Sequence, residues 1–307
     1  MVATIVLNQS NLIPNGQNNT FLYKFPNSVA FPNHEIAVQS INMYYSWSNI
    51  NTSPLSNTTF FYTWTVGGTS TTYPVVIPTG QYEIADINSF LQFTMIKNGT
   101  YLINGTSNIY YAELLVNTTQ YSVQVNTFPV PTSLPSGWSV PTANPATGSA
   151  AFPGFPTTTQ NPVLTFPANF NSVIGFPPNY QTAANVGAGT NLSYTSSQFG
   201  LAPQIQPNSS IFFAISNIQN KYSIPNSIIY SISPSVQFGS QISVTPPQFA
   251  WNKLISGTYN EIRLTILGLD LSPLLILDPN MMIVLVIRDT RDLGGLTELL
   301  TIATGGK

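Results

Sequence analysis

The residues of this 307-residue chain that could do acid–base, nucleophilic or metal chemistry are few and scattered. There is one histidine, His34, and no cysteine. A catalytic base needs a nucleophile and an orienting acid within hydrogen-bond reach. His34 follows Pro32-Asn33 at the expected start of a strand and reads as a turn residue. Zinc draws three or four ligands from Cys, His and carboxylates, so no zinc site is expected. Asp270, Asp278 and Glu113 are the carboxylates on which a hydrolase or a calcium site could be built. No Asp-x-Asp-x-Asp loop surrounds them, and Pro279-Asn280 marks the second as a turn former. Gly187-Ala188-Gly189 is a fragment of a phosphate-loop pattern without Gly-Lys-Ser/Thr after it. Tyr44, Tyr45 and Trp47 could make a sugar-stacking platform, although aromatic strand residues are more often core. The reading is therefore no catalytic, no cofactor-binding and no metal-ligating residues, and not an enzyme.

Composition narrows the field further. Only 8 Lys and Arg and 10 Asp and Glu are present, for a net charge of -2, about a quarter of the usual charged share. Eight scattered cations give no footprint for phosphate backbones or anionic lipid, so nucleic-acid binding is not expected. Asn, Ser, Thr, Gln and Tyr replace the charges, alongside 25 prolines and 20 glycines, a mixture that favours strands and turns. Nine Asn-x-Ser/Thr triplets look like glycan acceptors, but such a composition produces them by chance. Met1 to Asn8 has no basic start and too short an apolar run for a signal peptide. The apolar stretch from Leu269 to Ile287 is broken by Asp270, Pro273, Asp278, Pro279 and Asn280, so no membrane span is expected.

The elements that must position these residues are mostly strands. Thr20–Phe25 is one. His34–Tyr45, apolar on both sides, is another and places Ile36, Val38 and Ser40 on one face. Thr59–Val66 alternates, Gly67-Gly68 supplies a tight turn, and Thr69–Ile77 returns, which predicts a hairpin. A helix is expected over Ile84–Lys97. Ile84, Ile87, Leu91 and Met95 form its stripe, Asp86 lies in its first turn, Lys97 in its last, and Asn98-Gly99 ends it. Asn104-Gly105 then joins Tyr101–Ile103 to Ile109–Val116 in a hairpin, and Tyr121–Val125 follows as a strand. Eleven prolines and no charge between Phe128 and Pro178 predict a long ordered loop laid on something apolar, with one helical turn before Gly175. Strands resume over 210–216, 227–233, 241–244, 259–269 and 281–287. In the fourth, Ile262, Leu264 and Ile266 form the dry face, and the last is apolar throughout and should be central. The expected fold is mainly β: a single jelly-roll β-sandwich, 1–78 and 205–307, interrupted by an inserted α+β domain with a Pro-rich loop, 79–204.

Several runs resemble one family. Glu35-Ile36-Ala37-Val38-Gln39-Ser40-Ile41-Asn42-Met43-Tyr44-Tyr45-Ser46-Trp47-Ser48-Asn49-Ile50 with Asn57-Thr58-Thr59-Phe60-Phe61-Tyr62, and Ile77-Pro78-Thr79-Gly80-Gln81-Tyr82 leading into Glu83–Asn88, resemble the penton, or minor capsid, proteins of virophages and Polinton/Maverick-like viruses. Val173-Ile174-Gly175-Phe176, Asn220–Pro225, Gly257–Ile262, and Leu277-Asp278-Pro279-Asn280 with Val286–Asp289 are similar to further motifs of that family, in its order. Phe128–Pro167 lies outside the resemblance. The resemblance implies a homopentamer at the five-fold vertices of an icosahedral virion assembled in the infected host cell. Its partners would be copies of itself and the major capsid protein, with a host-surface receptor as a further candidate. It also draws attention to Gly294-Gly295 and Gly305-Gly306-Lys307, similar to Gly-Gly sites cut by capsid-maturation proteases, although double glycine is common in tails. A carbohydrate-binding or adhesin-type β-sandwich for host attachment is the alternative, motivated by exposed aromatics and Asn-rich loops.

Overall fold

The computed structural model describes residues 2–204 and 208–291. Both Gly-Gly sites fall outside those residues. Ahead of the insertion run β1 (Val2–Leu7), β2 (Thr20–Ala30) and β3 (His34–Tyr44). Then come β4 (Thr59–Val66), β5 (Thr69–Val76), α1 (Ile84–Asn98), β6 (Leu102–Asn104), β7 (Ser107–Ile109), β8 (Ala112–Asn117), β9 (Ser122–Thr127), β10 (Trp138–Ser139), β11 (Val163–Phe166), α2 (Asn171–Ile174), β12 (Tyr180–Gln181) and β13 (Leu192–Thr195). The chain finishes through β14 (Ile211–Ile215), β15 (Ile228–Ile232), β16 (Gln241–Val244), β17 (Asn252–Lys253), β18 (Thr258–Leu267) and β19 (Met282–Asp289).

Packing divides the chain into two units. The described parts of Met1–Trp47 and Pro207–Lys307 form one, and those of Ser48–Gln206 the other. In the first, one sheet runs β1-β19-β3-β16, with β17 also on β3, and the other runs β15-β14-β18-β2, all antiparallel. Leaving aside the short β17, the first strand pairs with the last, β2 with β18, β3 with β16, and β14 with β15. That is the pattern of one long antiparallel ribbon wound into two sheets, the jelly roll. The two inner faces meet through Ile5, Leu7, Ile36, Ile283 and Leu285 from one sheet and Phe21, Phe213, Ile262, Leu264 and Ile266 from the other. As expected, β19 is central, flanked by β1 and β3.

One detail of β3 differs from simple alternation. Leu285 pairs with Val38 but Val284 with Ser40, so β3 carries an extra residue at Gln39. The bulge swaps the faces: Ile41 and Met43 join Ile36 and Val38 in the core, and Ser40 does not.

The first boundary of the inserted unit lies earlier than the sequence reading put it. The β4–β5 hairpin, expected within 1–78 of the sandwich, pairs through β4 with β11 of the Pro-rich tract in the sheet β12-β11-β4-β5. That tract is thus more than a loop, since Leu164 and Phe166 of β11 are fully buried beside Phe60 and Tyr62 of β4. The expected 101–116 hairpin is corrected too. Asn104-Gly105 joins β6 to the short β7, and 112–117 pairs instead with β9, because Tyr110-Tyr111 interrupts the strand. Helix α1 buries Ile84, Ile87, Leu91 and Met95, the stripe read from the sequence, and Gly99 caps it at φ 67°.

Candidate functional site

The candidate catalytic residues do not converge. His34 opens β3 opposite Asp289, edge-on to Phe31 at 5.2 Å, and its buried Nδ1 has no hydrogen-bond partner among the described residues. Asp270 accepts bonds from the amide and hydroxyl of Ser272, and Asp278 from the amide and side chain of Asn280. Both are turn formers of the Asx kind. Glu113 accepts from Asn126 Nδ2 at 2.9 Å within the other unit. Gly187 and Gly189, at φ 80° and 60°, lie in a turn with no strand-to-helix junction around it. Among the described residues no three His, Cys, Asp or Glu side chains group to hold a metal, and no helix is long and apolar enough to cross a membrane.

Charge collects instead at one end of the β1-β19-β3 sheet. Glu35 on β3 receives Nε and Nη2 of Arg288 on β19, at 2.9 and 2.7 Å, and the guanidinium stacks 4.0 Å from the Trp251 ring centroid. Next along, Arg291 pairs with Asp289 at 2.5 Å. Hydrogen bonds from Arg291 hold the Asp289 carboxyl well below the usual carboxylate range, and the same pairing raises Arg291. The Glu35–Arg288 pair ties β3 to β19, and the Asp289–Arg291 pair closes the end of β19 on itself.

The residues carrying the family resemblance have architectural work. Asn49 Nδ2 donates to the Tyr82 carbonyl at 2.7 Å, the Tyr82 amide donates to Asn49 Oδ1 at 2.9 Å, and Ile50 and Gly80 exchange backbone bonds. Two distant motifs therefore clasp one another at the root of the insertion. The Tyr82 ring lies close over Gly80, 2.9 Å from where a Cβ would be, so a side chain there would displace the ring. Gly175 ends α2 at φ 75°, with the Pro203 backbone 2.7 Å from where a Cβ would be. Asn57 belongs to the same web: its amide donates to the Asn49 carbonyl and accepts from the Asn51 amide. Asn51 and Asn57, both potential glycan acceptors by sequence, are buried.

The aromatic trio splits. Tyr45 and Trp47 pack against each other inside the sandwich at 4.4 Å, whereas Tyr44 is 37% exposed. Tyr44 borders an open pocket of about 470 Å³ lined also by Asn8, Gln9, Asn42, Gln241, Asn280 and three methionines, Met43, Met281 and Met282. Five carboxamides from four separated segments meet there with no charged side chain. No spacing in the sequence announces this grouping. Pairing of β16 on β3 brings Gln241 opposite Tyr44, and pairing of β19 on β3 brings Met282 opposite Asn42.

Comparison with known proteins finds no matching family model and no matching curated protein. Among solved structures, the crystal structure of the mavirus penton protein is similar to this chain, with a TM-score of 0.40 and 12% identity over 94% of this chain and 97% of that one. The relationship is a distant structural one.

Proposed function

We propose that this chain is a non-enzymatic structural capsid protein, a homopentameric penton at the five-fold vertices of an icosahedral virion, in contact with that virion's major capsid protein. The observation that carries the reading is a jelly roll whose insertion leaves between its third and fourth main strands and is rooted by the motif residues Asn49, Gly80 and Tyr82. Those residues build architecture, so a shared set of them speaks for a shared scaffold. Jelly rolls serve capsids, lectins and cupins alike, and fold alone does not choose among them. The surface favours assembly. Subunit contacts are depleted in charge and enriched in aromatic and methionine side chains, and the sandwich exposes Val2, Val6, Phe238 and Phe249 in a chain with 6% charged residues. A five-membered ring closes through two different patches per copy, and few charges there need desolvation on contact.

Native mass spectrometry of the purified chain tests this. The expected result is a species of five copies, with the same protein imaged at particle vertices. A strictly monomeric protein at high concentration that is absent from vertices would overturn it.

A further inference from the structure

We infer that the carboxamide pocket at the Tyr44 end of the β1-β19-β3-β16 sheet is a binding site for neutral saccharides. The inference stands apart from the capsid reading and does not require it. Its chemistry follows from the lining. Sugars present hydroxyl groups that donate and accept, together with apolar C–H faces. Asn and Gln side chains offer a donor and an acceptor on one planar group. An aromatic ring beside them supplies a flat apolar surface with a polar tip.

The groups are free to act. Asn42 uses its Oδ1 to accept from Ser243 and Asn8 its Oδ1 to accept from Ser10, and neither Nδ2 is engaged among the described residues. The side chains of Gln9 and Gln241 and the Tyr44 hydroxyl make no hydrogen bond among the described residues. Met282, 42% exposed, gives the apolar floor. The volume, about 470 Å³, falls within the roughly 300–1,000 Å³ of small-molecule sites. Charge decides which saccharides fit. No cation lines the pocket, and the Asp278 carboxylate lies just behind Asn280, 2.8 Å from its Nδ2. Sialylated and sulfated glycans are therefore disfavoured relative to neutral ones.

The test uses the full chain on a glycan array carrying neutral, sialylated and sulfated oligosaccharides, followed by saturation-transfer NMR with the best neutral binder. Binding is expected at a dissociation constant on the order of 1 mM for a short oligosaccharide, with Tyr44 ring signals shifting on titration. Tyr44→Ala and Gln241→Ala, at exposed positions, should each weaken it roughly tenfold, the loss of about one stacking or hydrogen-bonding group. Tyr222→Ala, on a side chain 99% exposed and outside the pocket, should leave it unchanged. No saccharide binding, a preference for anionic glycans, or binding indifferent to both pocket variants would overturn the inference. If the variants lose their fold, the Tyr44 shifts of the unmodified protein decide it. Oligomeric state is read separately, so failure here leaves the penton reading standing and failure there leaves this one.

Discussion

The two units solve the same problem, burying backbone without charge, by different means. The sandwich relies on long ladders: β18 and β19 are 10 and 8 residues, and its inner faces are mainly aliphatic. The insertion has strands of 8 residues or fewer, some of 2, and leaves long stretches of backbone outside any ladder. Buried polar side chains take over there. Among the described residues all but Asn19 and Ser46 of them lie in the insertion. Thr182 Oγ1 accepts the Leu164 amide, Ser196 Oγ the Val123 amide, and Asn161 Nδ2 donates to the Thr127 carbonyl. A buried loop needs each peptide group satisfied, and neutral amides and hydroxyls do this at far less desolvation cost than charges. The Asn-, Ser- and Thr-rich composition is thus a structural material, and the absence of charge from 114–220 is its complement.

The sharpest way to break this comparison is to cut one core and watch the other. Phe213→Ala in the sandwich and Phe166→Ala in the insertion each remove a fully buried ring, at an expected cost of about 3–5 kcal/mol. Hydrogen exchange should rise mainly within the unit that was cut. A uniform rise throughout 2–291 from either variant would show that the two cores unfold as one. Somewhat smaller is the effect expected at Gly99, where a Cβ would lie 2.4 Å from the Ala151 carbonyl oxygen. Because the obstacle is backbone, Gly99→Ala should cost about 3 kcal/mol in denaturant unfolding. Gly105→Ala, at φ 60° with nothing within 4 Å, should cost only the roughly 1 kcal/mol of left-handed strain. Equal costs would mean the Pro-rich tract does not pack on the end of α1 as tightly as described.

That contrast also governs what the sequence disclosed. Alternation exposed Ile262, Leu264 and Ile266, and an unbroken apolar run placed β19 at the centre, because ladders impose a period of two on burial. The α1 stripe was legible for the matching reason, a period of 3.6. β11 was not, since four residues between Pro162 and Pro167 are too short to show a period and their partner, β4, is about a hundred residues away. The bulge at Gln39 left no mark either. The carboxamide pocket could not be anticipated, because strand register assembles it from both ends of the chain.

Alkaline pH should separate the units next. In the insertion, burial pushes the phenols of Tyr62 and Tyr111 up to about 12, partly opposed at Tyr62 by hydrogen bonds from Thr100 and Asn98. An unfolded tyrosine ionises near 10. Below that both states keep the proton and stability is whole. Between about 10 and 12 only the unfolded state releases it, so stability falls, and above the folded value the loss is complete. For Tyr62 the linkage amounts to roughly 2–3 kcal/mol, less for the more accessible Tyr111. Absorbance at 295 nm against pH, followed with hydrogen exchange, should show late-titrating phenols and loosening of 48–204 first. Tyr62→Phe should remove a substantial part of the pH sensitivity and leave the part due to Tyr111.

The smallest effect expected belongs to the sandwich's charged corner. Glu35 and Arg288 are each about a quarter exposed, so water still screens them. Glu35→Gln keeps the shape and one acceptor while removing the charge, and should cost about 0.5–1 kcal/mol, a difference that shrinks in molar salt. Trp251 bears on the size of the residual. Its ring lies against the guanidinium and remains a partner when the carboxylate is gone, so Trp251→Ala combined with Glu35→Gln should cost more than the sum of the two separately. Strict additivity would mean that the ring and the carboxylate hold Arg288 independently, and that charge at this corner sets solubility without tying β3 to β19.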